Sequence, residues 1–152
     1  MHDLFEATFS YKRLLRTESI SMATTQIKRI TFVWNADFSI AGGIRALQEV
    51  VEGEHSCTLC EIAYHRVTQT KEWKSYKKSL AKRYGAEIRQ PCKNQLSKKE
   101  RLITEKDFPA VLAHTNNGVV KLLGGNAIDN CNGDFNQFKS KLDEAINQLL
   151  NA

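Results

Sequence analysis

Two cysteines three residues apart, Cys57 and Cys60, are the strongest chemical signal in the chain. Cys-x-x-Cys can close a small disulfide ring. At the start of a helix, the unpaired N–H groups and the helix dipole favour the thiolate, and only the thiolate attacks a disulfide. Ser56 is placed to cap such a helix, and Arg66 adds positive charge beyond it. Two other readings stay open. Cys57, Cys60, His65 and Cys92 make a Cys₃His set of the kind that holds structural zinc, with His55 as a substitute. The cysteines can also be ordinary core or half-exposed residues.

Other reactive types are placed less tellingly. His114 falls inside a β pattern and reads as a core or edge histidine. Asn35 and Asp37 follow the first strand, where ligands favour open α/β sheets, but the same residues form turns and caps. Trp34 and Trp73 read as core. No Ser/His/Asp set or paired-carboxylate spacing stands out. There is no G-x-x-x-x-G-K-[ST] phosphate loop, and no cofactor is expected.

The elements around these residues follow from periodicity. Residues 28–34 alternate with apolar residues on both faces, predicting a central strand covered on both sides. Ile40, Ile44, Leu47, Val50 and Val51 predict a helix capped by Asp37 or Ser39. A short helix is expected from Cys57 through Val67, and a second over 71–84 with Gly85 as its stop. A short strand at 86–89 leads into a polar loop, 90–101. After Pro109 come a strand at 110–115, an Asn117-Gly118 hairpin turn with positive φ, a partner strand at 119–123 and a Gly124-Gly125 break. Phe135, Phe138, Leu142, Ile146 and Leu149 mark a terminal helix.

This order of strand, helical region, proline, hairpin and helix resembles a thioredoxin-like domain. Phe108-Pro109-Ala110-Val111 is similar to the segment around the cis-proline of that superfamily, which stands before the antiparallel strand and faces the active site. The resemblance implies an α/β fold with a central mixed sheet flanked by helices and a cis peptide before Pro109, which joins Cys57 and Cys60, read from their own spacing, in the expected site. The departure is one of position. The family's Cys-x-x-Cys directly follows the first core strand, whereas here Asn35-Ala36-Asp37-Phe38-Ser39 occupies that place. Cys57-Thr58-Leu59-Cys60 followed by Glu72-Trp73 also resembles a group of small, uncharacterised bacterial proteins.

Composition bounds the rest. The 152 residues are 41% hydrophobic and 26% charged, which suits one globular domain rather than a disordered chain. Four cysteines are too few for a disulfide scaffold. No apolar run approaches the length of a membrane span, residues 1–21 lack the continuous apolar stretch of a secretory signal so none is expected, and a cytoplasmic setting is expected. Residues 1–21 scatter their apolar side chains among charges and read as a disordered extension to a single domain at 22–152. The net charge of +5 is uneven, because residues 66–106 carry thirteen Lys and Arg against four Glu. That segment is either a solvated face or a weak, sequence-independent polyanion surface. Three functions follow: a thiol-disulfide or thiol-sensing protein with an unidentified protein thiol partner, a non-catalytic binding or adaptor domain, and a zinc-stabilised domain.

Overall fold

The computed structural model describes residues 24–38, 57–65 and 68–152. The predicted helix over Ile40–Val51, its Ser39 cap, the 1–21 extension, Ser56, His55 and Arg66 lie outside the described residues.

The described elements, in chain order, are β1 (Ile27–Val33), α1 (Thr58–Ala63), β2 (Tyr64–His65), β3 (Thr68–Gln69), α2 (Lys71–Tyr84) and β4 (Glu87–Arg89). A 3₁₀ turn (Lys93–Gln95) follows, then α3 (Lys98–Thr104), β5 (Ala110–Thr115), β6 (Gly118–Leu123), α4 (Gly125–Asp129) and α5 (Phe135–Asn151). The main sheet has the order β4-β1-β5-β6. β4 runs parallel to β1, with Ile88 opposite Ile30. β5 runs antiparallel to β1, with Ala110 opposite Val33, and β6 returns antiparallel to β5. The molecule is therefore a mixed α/β structure around a four-stranded mixed sheet.

The alternation within β1 sends its side chains into two cores. Ile30, Phe32 and the adjacent Trp34 pack with Leu59 and Ile62 of α1, Trp73 and Leu80 of α2, Ile128 of α4, and Phe138, Leu142 and Ile146 of α5. Val33 turns to the opposite face, where Ala110 and Leu112 of β5 meet Leu96, Ile103 and Phe108. Burial on both faces is what the uninterrupted apolar pattern of the strand requires. The larger core is centred on aromatic rings, with Phe32 edge-on to Trp73 at 4.8 Å and Trp73 5.7 Å from Phe138.

Local chemistry sets the helix ends. The Thr70 hydroxyl accepts the Trp73 N–H at the start of α2, and Gly85 ends it in the left-handed region at φ 61°. Asp134 caps α5 by accepting the N–H groups of Asn136 and Gln137. The Phe108–Pro109 peptide is cis.

Three local expectations are corrected. The helix from Cys57 ends at Ala63 rather than at Val67. Tyr64 turns extended, and the Thr70 N–H bonds back to the Ala63 carbonyl at 2.9 Å, so β2 and β3 form a small antiparallel pair instead. The polar stretch 90–101 contains the 3₁₀ turn and the start of α3. The latter opens with a reciprocal capping box between Ser97 and Glu100. The hairpin turn lies at Asn116 and Asn117, and positive φ occurs only at Gly118, the first residue of β6. The Thr115 hydroxyl closes it, accepting the Asn117 N–H and donating to the Gly118 carbonyl. The helix α4 after the glycine pair had not been expected from periodicity.

Candidate functional site

The end of β1 is where the reactive residues collect. Just past Val33, Trp34 forms a parallel bridge to Cys92. The Trp34 N–H donates to the Pro91 carbonyl at 3.0 Å, and the Lys93 N–H donates to the Trp34 carbonyl at 3.1 Å. On the other flank of β1, the Val33–Ala110 pair brings the buried Pro109 to the same end of the sheet. Gln90 fixes the indoles behind this edge. Its carbonyl accepts Trp34 Nε1 at 3.0 Å, and its side-chain oxygen accepts Trp73 Nε1 at 3.2 Å.

Cys57 is the N-cap of α1. Its backbone is extended, and its sulfur folds back over the first turn to accept the Cys60 N–H at 3.3 Å. This arrangement lowers the Cys57 thiol below its ordinary value. The largest cause is a hydrogen bond from the Cys60 side chain. Burial pulls the other way, and the backbone N–H groups of Asn35, Cys60 and Leu59 add to the lowering. The contact with Asn35 is decisive for position, because Asn35 follows β1 directly. The chain leaves the strand, and after the undescribed residues 39–56 it returns Cys57 to the strand's end.

Exposure within the pair is the reverse of the expected order. Cys57 was expected to present the more exposed sulfur, but it is buried at 4% exposure while Cys60 is half-buried. An N-cap side chain that bends over the helix start to meet its N–H groups turns inward, here against Asn35 and the larger core.

Cys92 is the neighbour that sequence reasoning placed only in a metal set. Burial pushes its thiol up, and the negative charges of Cys57 and Asp37 push it further. No spacing in the sequence announces this contact, which arises from the bridge to Trp34. Cys131 is buried, with its sulfur directed at the Ala127 carbonyl, and burial raises its thiol too. All four cysteines are free thiols.

Among the described residues, no three His, Cys, Asp or Glu side chains converge as metal ligands. Cys57, Cys60, His65 and Cys92 are therefore not gathered as a ligand set, and His65 is exposed on β2. Asn35 accepts a hydrogen bond from Lys93 Nζ, and Asp37 is exposed. His114 is half-buried and meets the Glu100 carboxylate at 3.1 Å on the far side of the sheet from Cys57. No helix among the described residues is long and apolar enough to cross a membrane. No protein-family model, curated protein or solved structure matches the chain.

Proposed function

We propose that the chain is a thioredoxin-like thiol-disulfide protein of a reducing, cytoplasmic setting, with Cys57 and Cys60 as its working pair. The carrying observation is the place of Cys57 at the N-cap of α1, against the end of the central strand, with its sulfur accepting the Cys60 N–H at 3.3 Å; the lowering of its thiol agrees with that geometry. The mixed sheet, the proline before an antiparallel strand and the hairpin leading to a terminal helix support the thioredoxin-like reading.

In this reading, the Cys57 thiolate forms a bond to one sulfur of a partner's disulfide. The partner's other sulfur departs as a thiolate and takes a proton from water. Cys60 then loses its proton to solvent and attacks the Cys57 sulfur. The mixed disulfide breaks and the second partner sulfur leaves as a thiol. The partner gains two electrons and two protons, and Cys57 and Cys60 are left as a disulfide that an external dithiol reduces. Cys60, three residues on, is within reach because both sulfurs share the first turn of α1.

The burial of Cys57 favours a second reading, a non-catalytic binding domain of the same shape. Alkylation by iodoacetamide, followed residue by residue with mass spectrometry across pH, separates the two. The thiol-disulfide reading expects Cys57 to react with a midpoint below the ordinary thiol value of about 8.5. Cys60→Ala removes its largest stabilising partner, so the midpoint rises. The same variant accumulates a mixed disulfide with oxidised glutathione, and Cys57→Ser accumulates none. If Cys57 reacts no faster than Cys131 at neutral pH, the pair is not a redox centre and the binding reading takes its place.

A further inference from the structure

We propose that the groove between α2 and the outer edge of β4 binds an extended acidic polypeptide segment, which adds to β4 as a further strand. Lys74, Lys77, Lys78 and Ala81 fall at i, i+3, i+4 and i+7, so they form one stripe along α2. That stripe and Ile88 and Gln90 of the β4 side line a cleft of about 480 Å³. Ile88 sits opposite Ile30, whose side chain packs in the core beneath α2, so it lies on the same face as the lysines. β4 is an edge strand, with β1 on one side and no further strand on the other among the described residues. Such an edge presents unpaired main-chain N–H and C=O groups to an incoming strand.

Charge selects the occupant. Lys74 and Lys78 are exposed and make no ion pair with a described residue. Lys77 donates to the Gln69 side-chain oxygen at 2.8 Å. The one acid in β4, Glu87, is held by Arg29 at 2.9 Å and leaves the lysines uncompensated. Partial burial and the charge of Lys74 both press the Lys77 ammonium down, as expected where positive charges gather without a carboxylate. The cleft lining contains no aromatic ring on which a nucleobase can stack. A strand edge beside uncompensated lysines therefore suits an acidic peptide better than a nucleic acid. This inference is independent of any reaction at Cys57.

The test is fluorescence anisotropy with a labelled octapeptide of alternating glutamate and valine, in about 50 mM salt to limit screening. The expected result is saturable binding. Reversing two groove charges in Lys74→Glu/Lys78→Glu should weaken it about ten-fold or more. The same charge change on the opposite face, Lys98→Glu/Lys99→Glu, should alter it less than about three-fold. Lys74→Gln/Lys78→Gln provides the milder variant if the double reversal melts early by circular dichroism. N-methylation of alternate peptide nitrogens should also weaken binding, because it removes strand pairing. Equal loss from the two charge reversals, undiminished binding of the N-methylated peptide, or tighter binding of an oligothymidine would each overturn the proposal.

Discussion

Glu100 is a carboxylate with 2% exposure on the smaller-core side of the sheet, and removing it should be felt throughout α3. One carboxylate oxygen accepts the Ser97 N–H at 2.9 Å, and the other meets His114 Nε2 at 3.1 Å. Burial pushes this carboxyl up, but the Ser97 backbone and hydroxyl and the His114 ring outweigh it, and the group is held below its ordinary value. Glu100→Ala leaves a helix N-cap N–H and a half-buried imidazole nitrogen without their partner. Ser97 is exposed and recovers water, so its share is about 1 kcal/mol; the imidazole and the lost packing add roughly 1–2 kcal/mol. The sum corresponds to a Tm fall of roughly 5–10 °C at this chain length. Glu100→Gln keeps an acceptor for Ser97 and a donor for an unprotonated His114, and should cost only about 1 kcal/mol. The two variants also separate charge from shape. A carboxyl depressed in the folded state stabilises fully above its unfolded value, near pH 4.3, and that stabilisation is lost as pH falls through the folded value. The gap between the native chain and Glu100→Gln, measured by urea unfolding, should therefore be full above about pH 5 and shrink steadily as the pH falls below about 4. An unchanged gap down to about pH 3, or a Tm loss under about 2 °C for Glu100→Ala, would refute the reasoning.

Thr31 is fully buried, and its hydroxyl has no hydrogen-bond partner among the described residues, so Thr31→Val should raise stability by about 1 kcal/mol in denaturant unfolding; a loss would show that the hydroxyl is satisfied. A methyl group at Gly125 would stand 2.8 Å from the Phe108 carbonyl oxygen and 2.7 Å from Asp107 Oδ1, which itself accepts the Gly125 N–H at 2.9 Å. Because the carbonyl is backbone and cannot swing away, Gly125→Ala should cost about 2 kcal/mol or more, and a neutral melting curve would count against this packing. Tyr76 donates its hydroxyl to Asp143 at 2.7 Å, and burial and that carboxylate raise its pKa. Tyr76→Phe should cost about 1.5–3 kcal/mol, and Tyr76 should contribute nothing to ultraviolet titration below about pH 11, where a free tyrosine has already ionised.

The elements that were legible in the sequence are those whose local signals agree with their packing. The strand at 27–33 is apolar on both faces because two cores meet it, and α2 and α5 carry an apolar stripe with a cap at the N-terminus. α3 was hidden for the opposite reason. Its two buried residues, Glu100 and Thr104, are polar, Ile103 is only half-buried against the smaller core and Leu102 is 67% exposed, so it shows almost no apolar period. Its signal was the Ser97-x-x-Glu100 box, which is about polar groups rather than apolar ones. The hairpin was foreseen at the right place but by the wrong device, since a threonine hydroxyl does what a left-handed asparagine was expected to do.

The thiol site was legible as chemistry and illegible as geometry, and the cause is the chain between residues 38 and 57. Counted along the sequence, Cys57 is too far from the first strand to occupy the place where a thioredoxin-like domain keeps its cysteines. Counted through space, it is against Asn35, the second residue past that strand, because a helix N-cap can be delivered to a strand end by any length of intervening chain whose ends meet. The register of β1 against β5 then brings Pro109 to that same sheet end, and the Trp34–Cys92 bridge brings a third thiol. None of these three contacts is between residues close in sequence. What a sequence displays is which side chains can form a thiolate and which turn can present one; what it conceals is that Cys57 is buried and Cys60 only half-buried. That reversal makes the pair's access to a partner, rather than its acidity, the property on which the proposed thiol-disulfide exchange depends.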